Sequence, residues 1–187
     1  MALQRSGVRA SLAPFRYRHL LRLVGINWYN LNHTKALPLV SIDIHSSIPN
    51  RSIRFCDRRA DIDLRQLQSL FTKSAFWASD RQIADLQIAL DRSEPVVSAW
   101  HEEKLIGFAR ANSDGVYRAT IWDVVIDCDY QRIGLGRKLV ETVLGHPCMQ
   151  RVERIYLTTT HQQNFYERLG FTANSSTTMM LDRSKLA

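Results

Sequence analysis

The chain has 187 residues, 45% of them hydrophobic and 23% charged, with a formal net charge of +7. That length allows one ordinary domain with a sizeable core and a tail besides, and no stretch approaches the ~18 uninterrupted apolar residues of a membrane span. Residues 1–50 hold six Lys/Arg and one acid, whereas the other 137 hold 19 Lys/Arg and 17 Asp/Glu. The basicity therefore lies mostly outside the body, and neither nucleic acid nor a membrane is the expected partner. Cys56, Cys128 and Cys148 are odd in number and lack metal-ligand spacing, so they read as reduced thiols, with no disulfide framework and no metal site expected.

Residues 1–51 form a basic, acid-poor extension that reads equally as an organelle transit peptide, a disordered tail or an upstream extension from a misplaced start. Ser46, Ser47, Pro49 and Asn50 suit a linker, and the domain is expected over 52–187. "SIRFCD" (52–57) alternates as a first strand. "DIDLRQLQSLFTKSAF" then places Ile62, Leu64, Leu67, Leu70 and Phe71 on one helical face, with Asp61 as N-cap. A second helical pattern begins at Ser79, with Ile83, Leu86, Ile88 and Leu90 repeating at nearly helical spacing, and Pro95 stops it. "PVVSAWHEEKLIGFARAN" reads as a β-hairpin turning at Glu102–Lys104, and "YRATIWDVVIDC" as a third strand of the meander. A helix over 134–146 turns Leu135, Leu139, Val140, Val143 and Leu144 inward and stops at Gly145. "RVERIYLTTT" follows as a strand, "HQQNFYERLG" as a short helix closed by Gly170, and "FTANSSTTMMLD" as a final extended segment or hairpin. A meander followed by crossovers means a mixed α/β sheet.

Between the third strand and the 134–146 helix lies "QRIGLG" (131–136). A glycine turn that enters a helix presents unpaired backbone N–H groups, which together with the helix dipole suit a phosphate. Gly134 and Gly136 allow close approach of a ligand, and Arg132, Arg137 and Lys138 add positive charge. The spacing fits neither the Rossmann nor the P-loop pattern. On its own, the stretch is as well read as a tight turn with helix-flanking glycines.

Gln131-x-x-Gly134-x-Gly136 resembles the Q/R-x-x-G-x-G/A turn of the GNAT superfamily of acyl-CoA-dependent N-acyltransferases. "NFYERLGF" (164–171) resembles that superfamily's C-terminal motif, and the resemblance runs over roughly 52–182. It is closest to the cyanobacterial and plastid branch that includes serotonin N-acetyltransferases. The resemblance implies a mostly antiparallel sheet with a splayed central strand and about four flanking helices. It also implies acetyl-CoA as co-substrate, held by Gln131, Arg132, Ile133, Gly134, Leu135, Gly136, Arg137 and Lys138 at the pyrophosphate and by Val124, Val125 and Ile126 along the pantetheine arm. The N–H near Val125 would be the oxyanion donor, and Tyr166 would protonate the departing thiolate. Dimerisation is common in the superfamily, and a homodimer is implied by that alone. The cytoplasm is the expected location, or the plastid stroma if the extension is a transit peptide.

Asp123 is the second catalytic candidate, because a carboxylate inside the apolar strand "IWDVVI" needs a reason. It suits proton removal from the amine or binding of a cationic acceptor, and equally an ion pair with Arg110 or Arg118. On a regular strand its side chain opposes those of Trp122 and Val124. Glu102 and Glu103 are weaker candidates for the base. Where many superfamily members carry Asn, or an acid in the plant serotonin-type branch, seven residues before the tyrosine, this chain has Thr159, with His161 nearby. Phe76 and Trp77, with Trp100 and Trp122, are read as an apolar acceptor wall suited to an arylalkylamine such as serotonin. A protein lysine or N-terminal acceptor, and a non-catalytic acyl-CoA-binding domain, are the other readings.

Overall fold

A computed structural model describes residues 41–42 and 53–182. Apart from Ser41–Ile42, the expectations for the N-terminal extension lie outside the described residues.

Six strands form one sheet in chain order: β1 (Ser41–Ile42), β2 (Ile53–Cys56), β3 (Val96–His101), β4 (Lys104–Ser113), β5 (Arg118–Ile126) and β6 (Arg154–Tyr156). Every neighbouring pair is antiparallel except β5 and β6, which run parallel. The parallel step needs a crossover, and α3 (Leu135–Gly145) supplies it. Helices α1 (Leu64–Ser74) and α2 (Ile83–Asp91) sit between β2 and β3, and the short α4 (Gln163–Glu167) follows β6. This is the mixed, mostly antiparallel α/β architecture expected.

Each sheet face buries its own apolar layer. On one, Val97, Ala99, Ala109, Ile121 and Ile126 pack with Leu135, Leu139, Val140 and Val143 of α3, whose apolar positions repeat at helical spacing. On the other, Trp100, Leu105, Phe108 and Val125 meet Leu67, Leu70 and Phe71 of α1 and Leu86 and Leu90 of α2. Within this second layer Phe71 and Phe108 meet edge to face at 5.7 Å. Among the described residues no helix is long and apolar enough to cross a membrane.

Several boundaries differ from the sequence expectation. Asp63, not Asp61, caps α1, accepting from the N–H groups of Arg65 (2.7 Å) and Gln66 (3.1 Å). Asp61 instead pairs with Arg58 at 2.7 Å. Helix α2 starts at Ile83 because a short 3₁₀ turn, Phe76–Ala78, precedes it, and Ile83 and Ile88 face outward. Only Leu86 and Leu90 of that pattern reach the core. Pairing of β6 stops at Tyr156, and residues 171–182 form no strand.

Gly107 lies where β3, β4 and β5 crowd most closely. A Cβ there would stand 2.7 Å from Ile126 Cδ1 and 3.0 Å from Ala99 Cβ. The isoleucine tip can rotate away, but the alanine moves only with its strand. Gly107→Ala is expected to cost about 1–3 kcal/mol, read as a lower urea midpoint at unchanged slope.

Candidate active site

The site begins with a fault in the β4–β5 ladder. Phe108 faces Val125 and Arg110 faces Trp122, so Asp123 and Val124 together oppose the single residue Ala109. This is a β-bulge, and Asp123 takes φ +55°, in the left-handed region that non-glycine residues rarely adopt. Strict alternation therefore fails here: Ile121, Trp122, Asp123 and Val124 all line one cleft, with Trp77, Arg81, Leu157, Thr158 and Tyr166. The cleft encloses about 230 Å³.

Two arginines hold the bulge. Arg110 Nε lies 2.6 Å and Arg81 Nη1 2.8 Å from the same oxygen, Asp123 Oδ2. Arg110 also donates to Ser93 Oγ at 3.0 Å, and the Arg81 guanidinium lies over the Phe71 ring at 5.1 Å. The Asp123 side chain is only 5% exposed. Burial pushes its carboxyl upward, but the hydrogen bonds and charges of Arg81 and Arg110 together outweigh this and hold it below the ordinary carboxylate range. Of the two expected partners, Arg110 is found; Arg118 instead lies 3.9 Å from Glu153. Arg81 had no signal in the sequence beyond the need of a buried carboxylate for a partner.

Beyond Thr120, β5 leaves β6: pairing covers only Arg118–Thr120 with Arg154–Tyr156. The strand edge past that point opens toward the cleft. Asp127 N–H donates to Ile106 O at 2.8 Å, and antiparallel ladders alternate in direction. Val125 N–H is thus turned toward β4 and Ile126 N–H toward the open edge, so of the backbone groups near Val125 expected to bind the oxyanion, its own N–H faces away from the cleft.

At the end of β5 the turn is braced from several sides. Asp127 binds Lys73 at 2.7 Å and Lys104 at 2.8 Å and accepts from Asp129 N–H at 3.1 Å. Gln131 turns its side-chain amide back to Ile126 O at 3.0 Å, tying turn to strand. Arg132 (φ +67°) and Gly134 (φ +89°) bend the chain into α3, whose N-cap, Gly134, makes no side-chain cap. The first N–H groups of α3 therefore point at open space without an intrahelical acceptor. Leu135 is buried and Ile133 packs on the core, so these two could serve a ligand only through their backbones. Arg137 pairs with Glu141 at 2.8 Å, and Lys138 N–H closes the first helical turn on Gly134 O. A Cβ on Gly136 would touch the Phe165 ring at 3.6 Å, so the turn packs directly on α4.

Tyr166 on α4 lines the same cleft, between Phe165 (4.9 Å) and Phe171 (5.9 Å), both edge to face. Burial raises its phenol above the ordinary tyrosine value, and among the described residues its hydroxyl has no hydrogen-bond partner. Thr159 Oγ1 accepts from Gln162 N–H at 3.1 Å, shaping the entry to α4, and His161 is exposed. Of the four expected wall aromatics, Trp77 and Trp122 line the cleft. Trp100 is buried and donates to Ser98 Oγ, while Phe76 points to solvent, touching Trp77 at 5.2 Å.

A strand opened by a bulge, followed by a glycine turn at a helix N-terminus, is the frame of an acyltransferase. The profile of the acetyltransferase (GNAT) family matches residues 62–171, and the chain belongs to that family. It is 38% identical over 115 residues to an uncharacterised N-acetyltransferase, ycf52, of Gracilaria tenuistipitata var. liui, covering 59% of this chain and 62% of that protein. It is 46% identical over 74 residues to the chloroplastic GCN5-related N-acetyltransferase 2 of Arabidopsis thaliana, covering 39% and 29%. With histone acetyltransferase TAP1 of Glycine max it shares 35% over 127 residues, covering 61% and 54%. The chain thus spans less than two thirds of the length of these relatives. Among solved structures, an acetyltransferase of Deinococcus radiodurans R1 superposes with a TM-score of 0.60 at 27% identity, covering 71% of this chain and 90% of that one. A GNAT protein of Xanthomonas campestris pv. campestris gives 0.61 at 25%, covering 69% and 89%. These relatives support the family, and one of them is named chloroplastic; none of their names mentions a serotonin acceptor.

Asp127 gives the brace a pH signature. Burial opposes its ionisation, but Lys104, Lys73 and the Asp129 N–H prevail and lower its pKa from 3.8 to about 2. A folded value below the unfolded one means stability that is fully present above about pH 4 and lost as pH falls toward 2. Asp127→Asn is expected to lower stability at pH 7 by about 1 kcal/mol, solvent screening at the half-exposed lysines included. The difference from wild type should vanish near pH 2 in acid–urea titrations.

Proposed function

We propose that this chain is an N-acetyltransferase that moves the acetyl group of acetyl-CoA to a primary amine by direct attack. The observation that carries this reading is the meeting of three features at one cleft: an opened strand edge, an uncapped helix N-terminus behind a glycine turn, and a buried tyrosine.

The amides of 132–137 are the donors for the pyrophosphate, helped by Arg132 and Lys138. Gln131 and Asp127 keep those amides in place. Ile126 N–H at the open edge pairs with the pantetheine arm in the manner of an added strand, and the bulged backbone at Asp123–Val124 supplies the donor for the developing oxyanion. Acetyl-CoA brings a thioester whose thiolate must be protonated as it leaves. Tyr166 holds that proton: a phenol raised by burial stays protonated through the neutral range, donates to the sulfur as negative charge develops on it, and is reprotonated by the proton that the attacking amine releases. Asp123, committed to two arginines, is a poor base; its work is to fix the bulge, and proton loss from the amine passes to water in the cleft.

The aromatic faces of Trp77 and Trp122 favour an acceptor with an apolar or aromatic body, arylalkylamines such as serotonin included. Both rings are also partly open to solvent, at 53% and 41% exposed, and one relative is named a histone acetyltransferase; these favour, as a second reading, a lysine or N-terminus on a peptide. The chloroplastic relatives support a plastid location.

Release of CoA thiol from acetyl-CoA across aromatic amines, a polyamine and a lysine peptide tests the reading. Tyr166→Phe should lower kcat by about 10²-fold or more while acetyl-CoA binding by calorimetry is kept. Full turnover in that variant would remove Tyr166 as the acid, and binding without turnover of any amine by wild type would leave a CoA-binding domain. With Tyr166 as acid, activity should persist to high pH, its alkaline limb lying above the ordinary phenol value of about 10.

A further inference from the structure

We infer that the acceptor carries a carboxylate close to its amine, an amino-acid-type substrate whose anionic group is read by Arg81. This rests on the transferase reading and narrows its acceptor class.

The argument is one of charge. Among the described residues Asp123 is the only acid that lines the cleft, and with its charge already compensated by Arg81 and Arg110 and its side chain only 5% exposed it is a poor partner for an ammonium. One negative and two positive groups leave the floor of the cleft at a net +1. Of the two arginines, Arg81 lines the cleft, at 31% side-chain exposure, while Arg110 is not among the lining residues and is 17% exposed. Among the described residues the Arg81 guanidinium has Asp123 as its sole acceptor, through Nη1, so its other donors are left without a protein acceptor. The guanidinium lies over the Phe71 ring at 5.1 Å, and Gln68 Nε2 holds the Arg81 backbone by donating to its carbonyl oxygen at 2.9 Å. The remaining lining, from Trp77, Ile121, Trp122, Val124 and Leu157 to Thr158 and Tyr166, is uncharged.

A planar fork held in one orientation in a partly dry, otherwise neutral cleft recognises a carboxylate. The 230 Å³ of the cleft is on the scale of a single amino acid with an apolar or aromatic side chain.

Matched acceptor pairs that differ only in the carboxylate test this on the full chain: tryptophan against tryptamine, and phenylalanine against phenethylamine. CoA release is followed, with kcat/KM expressed per unprotonated amine. The carboxylated member should be favoured by about tenfold or more, mainly through KM, with the preference shrinking as salt is added. Arg81→Gln should move the ratio toward one. Indole-3-propionate, a carboxylate without an amine, should compete with the acceptor in wild type and lose that competition in Arg81→Gln. Equal or reversed preference in wild type overturns the carboxylate inference and leaves acetyl transfer standing. Acetyl-CoA binding with no release from either member of both pairs overturns the inference together with the transferase reading. The wild-type ratio stands whether or not the variant folds, and acetyl-CoA binding by the variant reports that it does.

Discussion

Asp123 sits where β5 has one residue too many for its partner strand, in a backbone conformation that costs energy, and two arginines hold its carboxylate there. Strain of this kind persists only where surrounding contacts over-determine it, and here they come from two directions. Arg110 reaches along the sheet from β4, while Arg81 reaches in from the segment just before α2. The carboxylate thereby fixes the bulge and joins the α1–α2 connection to the strand that forms the cleft. Without the bulge, β5 would alternate regularly and its residues would divide between two faces. The convergence of Ile121 through Val124 on one cleft depends on it.

The second constraint is at the other end of the same strand. Asp127 is almost fully buried and ionised, held by lysines from α1 and from the start of β4, and its position sets where the strand stops and the turn begins. Gln131 adds a tie back to Ile126. Between the two carboxylates lies a short length of strand whose edge is free of β6, and the turn that follows delivers bare amides. The reacting groups of the proposed mechanism are mostly backbone; the charged side chains hold that backbone in place.

The polar chemistry of the cleft follows from where charge is compensated and where it is not. The carboxylate is over-compensated, so the cleft presents the surplus positive charge, and Tyr166 stays a neutral donor because its surroundings are apolar. On the inference of a carboxylated acceptor, a site of this kind favours an anionic acceptor group over a purely cationic one. That reverses the simplest reading of an acid in an apolar strand, which makes it the partner of an ammonium.

The local pattern of the chain was enough for the order of strands and helices, the apolar face of α3, the hairpin and the glycine turn, because these follow from periodicity and from the few residues that tolerate left-handed backbone. Tyr166, Trp77 and Trp122 were within reach through motif position and composition. Where a cap or a helix start had two equivalent signals, as with Asp61 and Asp63, sequence could not choose between them, since packing of the first turn decides. The bulge was not legible, because it depends on the register between β4 and β5. Nor were Arg81, Lys73 and Lys104, whose partners lie tens of residues away. Trp100 and Trp122 look alike in sequence, yet one is core and the other cleft, since only the twist and register of the sheet decide which face meets a helix. The sequence by itself determined the class of fold and the turn that marks the family. Tertiary structure decided the charge and shape of the acceptor cleft, because both arise from contacts between segments that no local spacing relates.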